Sequence, residues 1–76
     1  MNVEKIKNTL AKNNRVTFKL YSLDYEINIV DNYIQIFTPT YPKHVKKYNT
    51  LEELLNNFQV YNESLLEVED RIIVYE

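Results

Sequence analysis

The sequence predicts an α+β domain: a small antiparallel meander sheet of three to five strands, with an N-terminal helix and two C-terminal helices packed on it. Three observations predict it. Apolar residues recur at helical spacing near the N-terminus. The period then switches to two over residues 15–38. After a stretch broken by prolines, two helix-capping signatures follow, each ahead of a leucine run. Seventy-six residues, 45% apolar and 26% charged, suit one folded domain spanning 1–76 around a single core.

Val3, Ile6 and Leu10, separated by Glu4, Lys5, Lys7 and Asn8, predict an amphipathic helix over residues 3–12 that Asn13-Asn14 closes. Val16, Phe18 and Leu20 then alternate with Thr17, Lys19 and Tyr21, the pattern of a half-buried strand. Tyr25, Ile27 and Ile29 repeat it after a turn around Leu23-Asp24, and Ile34 and Ile36 repeat it again after Asp31-Asn32. Pro39 and Pro42 end the meander, because proline cannot donate to a ladder. Residues 44–48 suit a short edge strand guarded by Lys43, Lys46 and Lys47.

Thr50 with Glu53 has capping-box spacing ahead of Leu51, Leu54, Leu55 and Phe58, which predicts a second helix. Ser64 with Glu67 repeats the spacing and predicts a third, running to about Asp70. Ile72 and Ile73 would continue that helical face, yet the β-branched run Ile72-Ile73-Val74-Tyr75 also suits a strand, and a strand after Asp70 is the favoured expectation. Glycine is absent, so turns that need positive φ fall to Asn or Asp, and Asn13-Asn14, Asp31-Asn32 and Asn62 are the expected places.

Composition excludes several chemistries. Without cysteine there is no thiol nucleophile or disulfide, and without glycine no P-loop or dinucleotide fingerprint. His44 is the sole imidazole, Ser22 has no motif around it, and Ser64 is explained as a cap. The acid pairs Glu52-Glu53 and Glu69-Asp70 suit solvated helix faces better than a catalytic cleft. The expectation is a protein that is no enzyme and has no metal or cofactor. No apolar run nears the ~18 residues that cross a bilayer, and Met1-Asn2-Val3-Glu4-Lys5 lacks a secretion signal's apolar stretch. A cytoplasmic location with no membrane partner is expected. Lys, Ile and Tyr occur seven times each, Asn ten times and Ala once, a usage that fits an A+T-rich genome.

Charge is distributed unevenly along the chain. Residues 1–49 carry a formal plus four and residues 50–76 minus six, which predicts a cationic and an anionic face if folding keeps the two segments apart. The anionic set Glu63, Glu67, Glu69 and Asp70 is a candidate contact for a protein, in particular a basic nucleic-acid-binding host protein. Tyr33 and Phe37 join it as aromatic contacts. With Tyr21 they fall on the sheet face opposite Tyr25, Ile27 and Ile29: either the C-terminal helices cover that face in a three-layer arrangement, the favoured expectation, or it is an aromatic patch of the kind found at interfaces. The competing candidate is a single-stranded nucleic-acid site. It combines Tyr41 and Tyr48 for base stacking with Lys43, His44, Lys46 and Lys47 for phosphate. A core this small leaves homo-oligomerisation as a further expectation.

The run Thr50-Leu51-Glu52-Glu53-Leu54-Leu55-Asn56-Asn57-Phe58, followed by Val60 and by Asn62-Glu63-Ser64-Leu65, resembles the C-terminal half of small uncharacterised proteins from Gram-positive bacteria, their prophages and mobile elements. Those proteins often have glycine where Asn62 or Glu63 stands here. The small size, acidic segment and lack of catalytic groups also resemble the profile of anti-CRISPR and other anti-defence inhibitors. That resemblance implies a non-catalytic module that binds and inhibits a host protein.

Overall fold

A computed structural model describes residues 2–75. Helix α1 (Asn2–Asn13) buries Val3, Ile6 and Leu10, the stripe its spacing predicts. It ends because Asn14 adopts the left-handed conformation at φ 62°. The Asn14 N–H donates to Leu10 O at 2.8 Å, and its carbonyl accepts from the Ile29 N–H at 3.0 Å, so the helix cap is tied to the sheet.

Strands β1 (Arg15–Leu20), β2 (Leu23–Val30) and β3 (Tyr33–Phe37) form the expected meander. A short β4 (Lys46–Tyr48) joins one edge, and β7 (Ile73–Tyr75) pairs with β1 at the other. The five-stranded antiparallel sheet has the order β4-β3-β2-β1-β7. Between them lie α2 (Leu51–Asn57), a two-residue ladder of β5 (Gln59–Val60) with β6 (Glu63–Ser64), and a 3-10 turn over Glu69–Arg71.

Val16, Phe18 and Leu20 on β1, Tyr25 and Ile27 on β2, and Ile36 on β3 meet Val3, Ile6 and Leu10 of α1 and Leu54 and Leu55 of α2 in one core. Leu65, Val68 and Ile72 complete it from the C-terminal segment. Phe18 has no exposed surface, stacks on Tyr25 with centroids 5.2 Å apart, and Tyr25 meets Phe58 edge-on at 6.0 Å.

Four expectations are corrected. Among the described residues there is no third α-helix. Its capping box does form: the Ser64 N–H donates to Glu67 Oε1 at 2.8 Å and the Glu67 N–H to Ser64 Oγ at 3.3 Å. Only a turn and the 3-10 segment follow, because the chain reaches β-branched Ile72 and Ile73 within eight residues and must enter β7 there. Second, all packing elements lie on one face of the sheet, so the second face is not covered and the domain has two layers.

Third, Tyr21 is not on that second face and Ile29 is not in the core. Tyr21 sits in the β1–β2 turn, and Ile29, although its N–H is tied to Asn14 at the end of α1, is 40% exposed. Fourth, positive φ occurs at Asn14, Asp31 and Asn62 but not at Asn13 or Asn32, and it also occurs at Tyr21, Ser22 and Tyr61. Both central residues of the Tyr21-Ser22 and Tyr61-Asn62 turns have positive φ, the arrangement that matches strand twist in two-residue hairpins. A bulky tyrosine pays about 1–2 kcal/mol to sit there.

Candidate interaction surfaces

Register fixes what the uncovered sheet face displays. Side chains alternate, so the residues between the core positions all point outward: Arg15, Thr17 and Lys19 on β1; Asp24, Glu26, Asn28 and Val30 on β2; Tyr33, Gln35 and Phe37 on β3; Lys47 on β4; Ile73 and Tyr75 on β7. The centre is polar. The Glu26 carboxylate accepts from Asn28 Nδ2 at 3.0 Å and from Arg15 Nη2 at 3.4 Å, in an ion pair. Asn28 Oδ1 is buried with no donor among the described residues.

Aromatic rings flank this centre. On one side Tyr33, 46% exposed, pairs with Val30 and has the Lys47 ammonium 5.8 Å from its centroid; Phe37, half-buried, stands opposite Glu26. On the other side, Ile73 and Tyr75 are exposed at the β7 edge, and the Tyr75 hydroxyl donates to Asp24 Oδ1 at 2.8 Å. That bond holds the phenol above its ordinary pKa.

The acidic candidates split by task. Glu67 is engaged in the capping box. Glu69 Oε2 accepts from the Val3 N–H at 3.1 Å and its carbonyl accepts from Asn2 Nδ2 at 2.9 Å, so this acid caps the N-terminus of α1. Glu63, half-buried on β6, and exposed Asp70 both lie close enough to Arg71 to help hold its guanidinium protonated, after the larger effect of its hydrogen bond to Tyr21. Acids and cations stand near one another in two places. Helix α2, with Glu52 and Glu53, packs beside lysine-bearing β4, and Asp24 and Glu26 share the open face with Arg15 and Lys19. Both meetings are local: β4 and α2 follow one another in the chain, and β1 and β2 are the two arms of one hairpin.

The basic candidates divide as well. Tyr41, Lys43 and His44 lie in the exposed loop after β3, where the Tyr41 and His44 rings stack in near-parallel planes at 5.9 Å. Lys47 points to the open face, whereas Lys46, opposite Ile36, takes the other. Tyr48, opposite Ile34, packs against the core, and burial, then Glu53, raises its phenol pKa. Tyr48 is therefore on the packed face of the sheet, and Lys47 on the open one.

One cluster carries no sequence signal. The Tyr21 and Tyr61 rings meet edge-on at 5.3 Å, joining two hairpin tips, and Arg71 Nη1 donates to the Tyr21 hydroxyl at 2.7 Å. Tyr61 is 77% exposed. The three residues are brought together by tertiary packing of turns forty and fifty positions apart, which no local pattern encodes. No family model, curated protein or solved structure matches the chain. No helix among the described residues is long and apolar enough to cross a membrane.

Proposed function

We propose that this chain is a non-catalytic protein-binding module that docks on a folded partner through its open sheet face, with Tyr33 and Phe37 as the anchoring contacts. The observation that carries this reading is one-sided packing. Both helices and the C-terminal segment use one face of the sheet, and the other is left with aromatic rings around a polar, mixed-charge centre. Aromatic residues and arginine on a rigid surface are the composition of protein interfaces. Asp24 and Glu26 on the same face disfavour a polyanion there.

The narrower form of the proposal is a phage-type, anti-defence-like inhibitor of a nucleic-acid-handling protein. What supports it is the pair Glu63 and Asp70, acids of the C-terminal segment not engaged in a cap, which would steer approach to a basic surface. The test is capture from host-cell lysate with wild-type chain and with Tyr33→Ala/Phe37→Ala. A specific protein retained by the first and lost by the second is expected. Capture indifferent to the substitutions, or none above background, overturns the reading.

A second reading rests on the stacked Tyr41–His44 pair beside Lys43, a small cationic platform for single-stranded nucleic acid. It predicts binding of a labelled oligonucleotide that weakens steeply with salt and disappears in Tyr41→Ala/Lys43→Ala. No anisotropy change at low salt removes it.

A further inference from the structure

The two edges of the sheet are built differently. At one edge β4 carries Lys46 and Lys47, with Pro39 and Pro42 just before it, the usual guards against further pairing. At the other edge β7 is Ile73-Val74-Tyr75, with no charge and no proline, and Ile73 is 60% exposed.

Hydrogen-bond parity shows what β7 offers. The two-residue Tyr21-Ser22 turn makes Leu20 and Leu23 a pair that exchanges both backbone bonds, so Phe18 and Val16 also bond towards β2. Thr17 and Lys19 therefore turn their N–H and C=O groups towards β7, where Tyr75 and Ile73 meet them. Val74, opposite Phe18, is left with its N–H and C=O directed outward from the edge.

We infer that β7 is a self-association strand, pairing antiparallel with β7 of a second copy about a two-fold axis at Val74. The occupant follows from symmetry. A residue on a two-fold axis whose donor and acceptor both point outward can exchange both bonds with its own copy, which is the closely bonded antiparallel pair. In that register Ile73 of each copy faces Tyr75 of the other on the open face, a β-branched–aromatic pair made twice with no like charges opposed. The two sheets join into one of ten strands. The inference goes beyond the proposed partner docking and does not depend on it.

A contact of three residues per copy is small, so a weak, reversible dimer is expected, with Kd on the order of 100 μM. Sedimentation velocity from 10 μM to about 1 mM measures it, and hydrogen exchange should show the Val74 amide protected more at high concentration than at low. Ile73→Glu and Tyr75→Lys each weaken the dimer about tenfold, while the double variant, which faces each new charge with its opposite, restores it to within a few-fold of wild type. Within one chain, Ile73→Glu lies beside Lys19 and Tyr75→Lys near Asp24, so both variants should fold, as far-UV circular dichroism will report. A monomer throughout the range, single variants that dimerise like wild type, or a folded double variant that stays monomeric would each overturn the inference. Tyr33→Ala/Phe37→Ala leaves dimerisation unchanged, which separates failure here from failure of the docking proposal.

Discussion

Replacing Ser22 by glycine should stabilise this protein, and replacing Asn32 by glycine should destabilise it, although both residues stand second in a two-residue hairpin turn. Ser22 has φ 69°, whereas Asn32 is not among the residues with positive φ. The left-handed conformation costs a residue with a Cβ about 1–2 kcal/mol, and glycine pays no such penalty. Glycine gives back about 0.5–1 kcal/mol through the extra freedom of its unfolded chain. The net gain for Ser22→Gly is then about 0.5–1 kcal/mol, whereas Asn32→Gly, with no strain to relieve, loses about 0.5–1 kcal/mol. At about 4–8 °C per kcal/mol for a domain of this size, Tm rises by about 2–8 °C in the first and falls by a similar amount in the second. Ser22 is exposed and its side chain makes no hydrogen bond to another described residue, so lost contacts do not confuse the comparison. Differential scanning calorimetry at neutral pH reads both. A lowered Tm for Ser22→Gly, or shifts of the same sign, would refute the backbone account.

Two further outcomes follow from the core. Phe18→Ala removes a ring with no exposed surface, a loss of about 3–5 kcal/mol. That equals the ~3–5 kcal/mol a domain this small possesses, so the variant should show an unfolded circular dichroism spectrum at 25 °C. Burial, then the charge of Tyr61, raises the Tyr25 phenol pKa above its unfolded value of about 10. A raised pKa means the folded state favours the protonated phenol. The associated stability is therefore intact below pH ~10 and is lost as pH climbs through the folded-state value. Tyr25→Phe should match wild type in urea midpoint at pH 7 to within about 0.5 kcal/mol, and lose less of it between about pH 10 and pH 11.

The meander and both helices are legible in the sequence because each is a local pattern answering to one core. Val16, Phe18 and Leu20 alternate because one sheet face is wet, and Val3, Ile6 and Leu10 recur because one helix face is dry. The Ser64-Glu67 box is legible too, yet it marks a turn: a cap satisfies donors at a helix start, and too few residues remain before Ile73 for propagation to reward nucleation. The β5–β6 hairpin is not legible, since two paired residues have no period.

The candidate surfaces were legible in part. Tyr33 and Phe37 follow from alternation alone, once β3 is recognised. Ile73 and Tyr75 do not, because only the placement of β7 beside β1 turns them to the same face. The charge split along the chain was a poor guide, since Glu69 is spent on the α1 N-terminus and Glu52 and Glu53 stand near β4.

Glu69 capping Val3, and Ile73–Tyr75 zipped to Thr17–Lys19, stitch the beginning of the described chain to its end. No half of this molecule owns a core: Phe18 and Leu20 from the first half need Leu54, Leu65 and Ile72 from the second. A protease cut in the exposed loop around Tyr41 would therefore release nothing, and the two pieces, each unable to stand alone, would stay clasped as a nicked but native whole.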